Sequence, residues 1–262
     1  LMLGKVGIEV NLRPEEAVTG TMVGSDGARL LDSDGNVLVI PQNALSQTVP
    51  VETKTVEPST LTGIVGTDFT LLRAVEVNLT NRTLASSAEL SFPAPAGLNS
   101  ALPLVVAKAI EVRGARRLKL VALGRLSGSL ITSGLNSLNG LSGILTSGQY
   151  FFLQAKAPLG FIFGTVKDGS GNPYASALTT SSTCSLVDLT GADGKYLIAG
   201  TVSEFTAQAS DIYKNDTGTA TGTITSANGA ITTNLVIQVT PPRVVSITPA
   251  DNSTGIETNA SI

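Results

Sequence analysis

The sequence predicts an all-β protein built from β-sandwich domains in tandem. Three features of the 262-residue chain predict this class. Apolar residues alternate with polar ones over many short runs, which is the period of a half-buried strand. Gly, Pro, Asn and Asp interrupt those runs about every eight to twelve residues, a spacing typical of sandwiches and barrels. The three- to four-residue spacing of an amphipathic helix is weak throughout.

The candidate strands share this alternation and are each bounded by turn-forming residues. In chain order they are 5–12, 36–40, 71–79, 87–92, 103–112, 117–126, 150–156, 160–168, 184–189, 195–200, 204–210 and 231–240. Residues 127–149 place Leu and Ile at three- or four-residue intervals but contain five glycines. Each glycine costs a helix about 1 kcal/mol against Ala. We therefore expect a long, partly ordered loop there, with at most one short helical turn.

Composition indicates a secreted, β-rich protein. Apolar residues make up 42% of the chain, but charged residues only 14%, against about 25% in an average soluble domain. Ser, Thr, Gly, Asn and Ala replace the missing charge, and this is poor material for surface helices. The net charge is -3, and the one basic run is 113–119. We expect no nucleic-acid partner.

Several residue types are missing, and their absence excludes whole classes of chemistry. The chain has no His, which removes Ser-His-Asp and Cys-His catalysis and His-ligated metal sites. It has no Trp, so an aromatic platform for sugars would be small. The single Cys184 cannot form an internal disulfide. No apolar run reaches the length of a membrane span. The start of the sequence shows no signal peptide, and we interpret the chain as an internal or processed piece of a longer protein.

Two proline-containing joints suggest where domains meet. The first is 156–160, and the second is 240–243, where consecutive prolines stiffen the connection. They separate a first part, 1–157, from a domain at 158–240 and a terminal strand at 241–262. Within the first part we expect an N-terminal strand or the end of a preceding domain at 1–26, followed by a domain at 27–157.

The middle segment 158–240 carries two motifs at a characteristic separation, 164-GTVKDGSGNPYASAL-178 and 188-DLTGADGKYLIAG-200. Together they resemble the carboxypeptidase regulatory-like domain. The matching residues are Gly164, Val166, Asp168, Gly171, Pro173, Ala177, Asp193, Gly194 and Tyr196. The resemblance implies a seven-stranded sandwich of the transthyretin (prealbumin) type. Independently of the family, the Asp-Gly turns and the alternation of Val166, Tyr196 and Ile198 predict a sandwich corner with an apolar inner face, and Asp193-Gly194 is a dipeptide that favours hairpins.

The first segment, 27–157, resembles a ZU5-type domain. A short predicted hairpin precedes an Ile-Pro-x-x-Ala-Leu turn, which is matched by Ile40, Pro41, Ala44 and Leu45. Some animal members of that family cleave themselves at a His-Phe-Ser site. This chain has no His and reads Ser91-Phe92, so self-cleavage is not carried over.

The last segment, 241–262, resembles the opening strand and turn of a bacterial Ig-like domain. The matching residues are Val244, Ile247, Pro249, Asp251, Gly255 and Ile256. About 20 residues cannot complete such a sandwich, so this strand is expected to pair with another edge.

Four aspartates are candidate Ca²⁺ ligands: Asp32 and Asp34 in 32-DSDGN-36, and Asp188 and Asp193 in 188-DLTGAD-193. Calcium takes six to eight oxygens, and neither loop offers enough carboxylates. Asp, Gly and Asn also favour turns without any metal. We therefore predict turns, no metal site and no obligatory cofactor, with Ca²⁺ as the alternative.

Lys167, Glu204 and Asn234 have the residue types of an intramolecular Lys-Asn isopeptide bond. Alternation places Val166 inward and Lys167 outward, so an exposed lysine is the prediction here. The sequence offers no candidate catalytic residue, because no nucleophile has a base within a recognisable motif.

These observations predict a non-catalytic structural or adhesion module of a multidomain bacterial surface protein, secreted or held at the cell surface. Its expected partners are other β-sandwich domains, copies of itself, or a surface glycan or protein. One alternative is a filament subunit joined head to tail by exchange of the strands at 5–12 and 243–249. Another is a glycan-binding module that uses the sandwich loops.

Overall fold

A computed structural model describes residues 20–61, 63–134, 140–214 and 216–238. In these ranges the chain is nearly all β, with one short 3-10 helix at Pro58–Leu61, and the predicted all-β class is confirmed. The chain forms two compact units that divide between Ala157 and Pro158. Residues 112–115, a two-residue turn with one strand residue on each side, group with the second unit.

The first unit consists of antiparallel strands. They are β1 (Thr21–Val23), β2 (Ala28–Leu31), β3 (Val37–Ile40), β4 (Val49–Thr55), β5 (Phe69–Asn78), β6 (Thr83–Pro93), β7 (Leu104–Val112), β8 (Ala115–Ser127), β9 (Leu130–Ser133), β10 (Ile144–Thr146) and β11 (Gly148–Ala155). One row of strands runs β1-β4-β5-β11-β7-β8. A second row runs β2-β3-β6-β9, and the pairing of β9 with β8 connects the two rows. β10 pairs with β6. Residues 21–23, within the N-terminal segment 1–26, thus form a strand of this unit.

Side chains from both rows meet in one apolar core. Val75 and Phe152 from the first row and Leu38 and Phe92 from the second are all buried in it. The rings of Phe92 and Phe152 meet edge to face, with centroids 4.9 Å apart. Burying such side chains contributes about 1.5–3 kcal/mol each, and the alternation of apolar residues along each strand places them on the inner side.

The second unit has two sheets that face each other. Its strands are β12 (Leu159–Asp168), β13 (Ala177–Ser181), β14 (Cys184–Leu189), β15 (Lys195–Thr201), β16 (Glu204–Asp211), β17 (Thr217–Thr223), β18 (Ala230–Thr232) and β19 (Leu235–Ile237). One sheet runs β14-β13-β16-β17 and is antiparallel. In the other, β12 pairs antiparallel with β15 and parallel with both β18 and β19. The predicted inner residues Val166, Tyr196 and Ile198 are buried in its core.

The predicted loop at 127–149 is wrong for the part that the structure describes. Residues 130–133 form β9 between β6 and β8, and residues 144–146 form β10 on β6. Ile131 and Ile144 are fully buried, so burial on a sheet outweighs the glycines, which supply turns. Residues 135–139 lie outside the described ranges.

Other differences follow from the limits of the alternation rule. The strands β1, β2, β4, β13 and β17 were not among the candidate strands, because they are short or carry few bulky apolar residues. The predicted strand 231–240 is divided into β18 and β19. Asp193-Gly194 does not close a hairpin: β14 and β15 lie in different sheets, so this turn is a corner that crosses between them. The predicted strands 5–12 and 243–249, and the Ig-like segment 241–262, lie outside the described residues.

Candidate functional site

A parallel ladder joins the first and last described strands of the second unit. We call β12 with β18 and β19 the terminal ladder. One register runs through it, from Phe161 opposite Ala230 to Asp168 opposite Ile237. The N–H of Phe161 bonds the carbonyl of Gly229 at 2.8 Å, so the ladder begins at the first residues of β18.

The terminal ladder is interrupted between β18 and β19 in a specific way. The N–H of Thr165 donates to Oδ1 of Asn234 at 3.0 Å rather than to a main-chain carbonyl. The Thr233 carbonyl instead accepts the hydroxyl of Tyr196. A Cβ on Gly164 would lie 2.1 Å from that carbonyl oxygen, so only glycine fits at this point. The Thr165 N–H and the Thr233 carbonyl are therefore both hydrogen-bonded at the interruption. The side chains of Asn234 and Tyr196 take the place of main-chain groups as their partners.

Burial explains why the Tyr196 hydroxyl can serve here. The residue is 3% exposed, and burial raises the pKa of Tyr196 above its usual range. The hydroxyl is thus protonated across the physiological range and acts as a donor.

The loop 32-DSDGN-36 is closed by its own carboxylate. Asp32 Oδ1 accepts the N–H groups of Asp34 and Asn36, each at 2.9 Å. Asp32 Oδ2 accepts Asn36 Nδ2 at 2.7 Å and the hydroxyl of Thr53 at 3.2 Å. Gly35 has a φ of 81°, which suits glycine. Asp32 therefore has a structural role in the β2–β3 hairpin.

The loop 168-DGSGN-172 in the second unit repeats this arrangement. Asp168 Oδ1 accepts the N–H groups of Ser170 and Asn172, each at 2.9 Å. Its Oδ2 accepts Asn172 Nδ2 at 3.1 Å, and Gly171 has a φ of 89°. The hydrogen bonds from the main chain and side chain of Asn172 lower the pKa of Asp168. Both Asp-x-x-Gly-Asn loops are thus turns closed by hydrogen bonds to the carboxylate of their first residue.

The other two calcium candidates also bond local groups. Asp188 is buried, and its two oxygens accept the N–H groups of Leu189 at 2.8 Å and Leu197 at 2.9 Å. Asp193 is exposed, accepts the N–H of Lys195 at 3.1 Å and forms an ion pair with its ammonium at 3.0 Å. The Lys195 main-chain bond is the first cause of the lowered pKa of Asp193.

Within the described ranges, no group of three or more His, Cys, Asp or Glu side chains could hold a metal ion. Asp32 and Asp34 lie in the first unit, and Asp188 and Asp193 in the second. None of these four described residues belongs to a group of three or more metal-ligating side chains.

The structure also places the isopeptide candidates. Lys167 is exposed on β12 while Val166 is buried, as alternation predicts. Glu204 lies on β16, in the opposite sheet of the second unit. The side chain of Asn234 bonds Thr165 in the terminal ladder. These three side chains do not form a reactive set.

Tyr174 and Asp211 form a side-chain hydrogen bond that the sequence did not indicate. The Tyr174 hydroxyl donates to Asp211 Oδ2. This bond, with lesser contributions from burial and nearby carboxylates, raises the pKa of Tyr174 to about 12. Asp211 Oδ1 also accepts the N–H of Tyr213 and that of Lys214. The pair fixes the segment after β12 to the turn that follows β16.

A hydroxyl-rich surface covers the outer face of β16 and β17. Along β17 every second residue is an exposed threonine, and Gly218, Ala220 and Gly222 face inward. The outward residues on β16 are Glu204, Thr206, Gln208 and Ser210. A shallow groove of about 370 Å³ lies at one end of this surface and is lined by Ser182, Glu204, Phe205, Thr206, Thr221, Gly222 and Thr223. It offers hydroxyls and one carboxylate.

Comparisons of the sequence with protein-family models and with curated proteins find no match. The described residues contain no helix that is long and apolar enough to cross a membrane.

Proposed function

We propose that this chain is a non-catalytic, load-bearing structural module on the cell exterior, within a multidomain bacterial surface protein that mediates adhesion or display. The terminal ladder carries the proposal. In the second unit the first and last described strands are adjacent and parallel. A force that pulls the start of β12 away from the end of β19 acts along the strands, and so loads the ladder bonds together rather than one at a time.

The distinction between shearing and peeling decides the mechanical strength of a ladder. When two parallel strands are pulled from opposite ends, several bonds must break in one step, so the barrier to forced unfolding is high. Resistance to force depends on that barrier and not on equilibrium stability alone. Tyr196 and Asn234 supply side-chain hydrogen bonds at the point where the main-chain ladder is interrupted.

Composition and site geometry support a structural role. Three of the four aspartates that could have held Ca²⁺, namely Asp32, Asp188 and Asp193, accept hydrogen bonds from main-chain groups of turns or neighbouring strands. Low charge and abundant Ser and Thr are typical of secreted β-rich proteins. By analogy, the resemblance of 27–157 to a ZU5-type domain, of 158–240 to a carboxypeptidase regulatory-like domain and of 241–262 to an Ig-like strand supports a modular surface protein.

Single-molecule force spectroscopy of the whole chain tests the load-bearing role. The second unit should open in one step, and roughly 80 residues released at about 3.3–3.6 Å each give a gain of about 270 Å, less the folded end-to-end distance. Asn234→Ala should lower that force, because Thr165 loses its acceptor. Gln208→Ala, at an exposed position on β16 in the opposite sheet, should leave it unchanged. Gradual opening without a force peak would contradict the proposal.

Protease treatment of intact source cells tests the proposed location. A protein on the cell exterior is degraded without lysis, whereas an internal protein is degraded only after lysis. Protection of the chain in intact cells would contradict the location and leave the mechanical proposal to its own test.

Glycan binding is a second candidate, and the groove beside β16 and β17 is the observation that favours it. Its hydroxyls and the Glu204 carboxylate could bond a polyhydroxyl ligand. A glycan array tests this, and Glu204→Gln should abolish any true signal from the groove. An array on which no glycan binds would contradict this second candidate.

A further inference from the structure

The exposed edge of β17 has the properties of a self-association site. β17 is the last strand of its sheet, and it pairs with β16 in a continuous register without a bulge. Its sequence, 217-TGTATGT-223, has no charge and no proline. Native proteins usually protect such edges with Lys, Pro or a bulge, because an open edge pairs readily with another chain.

The hydrogen-bond pattern shows which groups reach that edge. Just outside the strand pair, the N–H of Asp211 bonds Asp216 and the N–H of Ile224 bonds Ser203. Hydrogen-bonded positions alternate in an antiparallel pair. The main-chain groups of the even-numbered residues from Asp216 to Ile224 therefore point to β16, and those of the four threonines point away from it. In the described part of the chain, no strand pairs with this edge.

The sequence of β17 reads the same in both directions about Ala220. In an antiparallel pair of two copies, a two-fold axis at Ala220 places Thr219 opposite Thr221 of the second copy and Thr217 opposite Thr223 of the second copy. Glycine then faces glycine. Each threonine main chain exchanges both of its hydrogen bonds with a threonine of the other copy, and Thr–Thr pairs across strands are themselves favourable.

We propose that two copies of this chain associate through β17, forming one continuous sheet across a two-fold axis at Ala220. The contact uses the same surface on both copies, so it closes as a dimer rather than growing into a filament. Association through one strand edge is a small interface and therefore weak, of the kind that forms at high local concentration. The dimer does not depend on the load-bearing role, and each proposal can fail alone.

Sedimentation velocity over a range of concentrations tests the dimer. The wild-type chain should dimerise as its concentration rises. Thr221→Pro should weaken the dimer by roughly tenfold or more, because the two-fold axis removes the bond twice. Its N–H points away from β16, so the fold is retained. Thr221→Val keeps the N–H and is the matched control, which should still dimerise. A wild-type chain that stays monomeric at every concentration would overturn the proposal, as would a proline variant that dimerises normally.

A charge-pair experiment tests the register itself. Thr219→Lys/Thr221→Lys places ammonium groups opposite each other and should abolish the dimer. Thr219→Lys/Thr221→Glu places each ammonium opposite a carboxylate of the second copy and should restore it. Equal behaviour of the two variants would overturn the two-fold register, even if the proline variant unfolds.

Discussion

Replacing Tyr196 by Phe isolates the hydroxyl that satisfies the interruption of the terminal ladder. Tyr196 is 3% exposed and the Thr233 residue that accepts its bond is 7% exposed, so water does not readily replace the donor. Removing one partner of a buried hydrogen bond costs about 1–3 kcal/mol, since the other partner is left unsatisfied. The ring stays, so Tyr196→Phe creates no cavity.

That cost corresponds to a measurable fall in the melting temperature. A domain of 60–100 residues loses about 4–8 °C for each kcal/mol, so the transition of the second unit should fall by about 5–20 °C. Differential scanning calorimetry of the whole chain measures this, and the transition of the first unit serves as an internal reference.

Tyr213→Phe is the matched control for Tyr196→Phe. It removes the same hydroxyl from a residue that is 84% exposed, and a surface change of this kind should alter the free energy of unfolding by less than about 0.5 kcal/mol. If Tyr196→Phe melts like the wild-type chain, the Thr233 carbonyl does not depend on the tyrosine, and the explanation of the interrupted strand is refuted.

Three further predictions follow from the turns and the close strand contacts. The pKa of Asp168 is lowered on folding, so the stability that its carboxylate contributes is present above the unfolded pKa of about 3.9 and is lost as pH falls through the lower folded value. Asp168→Asn should therefore be less stable than wild type at neutral pH. Melting curves recorded in acid should show this difference in stability shrinking. Gly218→Ala should cost about 1–3 kcal/mol in urea denaturation, because its Cβ would lie 2.0 Å from the Val236 carbonyl oxygen, whereas the outward Thr219→Ala should cost less. Adding about 1 mM Ca²⁺ should not change the melting temperature relative to a chelator.

Each of these has a contradicting result. A gap between Asp168→Asn and wild type that stays constant into acid would show that the carboxylate charge does not stabilise the turn. Equal costs of Gly218→Ala and Thr219→Ala would show that β17 and β19 do not pack closely. A rise in melting temperature with Ca²⁺ would reveal a site outside the described ranges or built differently from the turns.

The sequence predicts those strands that alternate bulky apolar residues with polar ones, because that pattern reflects burial of one face. All of the run 71–79 except its last residue lies in β5, and all of 150–156 except its last residue lies in β11. The pattern fails for β17, whose inward residues are Gly and Ala: their small size allows β19 to approach closely, a requirement that only the folded chain reveals.

The candidate site likewise has features that the sequence predicts and others that it does not. Asp-Gly and Gly-Asn pairs predict turns at 32–36 and 168–172 because the reason is local, and the structure has turns there. The roles of Tyr196 and Asn234 depend on Thr233 and Thr165, which are distant in the sequence, so spacing could not reveal them. The free edge of β17 likewise appears only once the order of strands is known.

The most direct test of the load-bearing account is to pull the second unit in two directions. Cysteine handles at Pro158 and Gln238 load the terminal ladder in shear, and handles at Pro158 and Ala227 peel the same ladder from one end. All three positions are exposed, and the native Cys184 is buried. At equal pulling speed the account predicts a clearly higher unfolding force in the shear direction. Equal forces in both directions, or a lower force in shear, would contradict it.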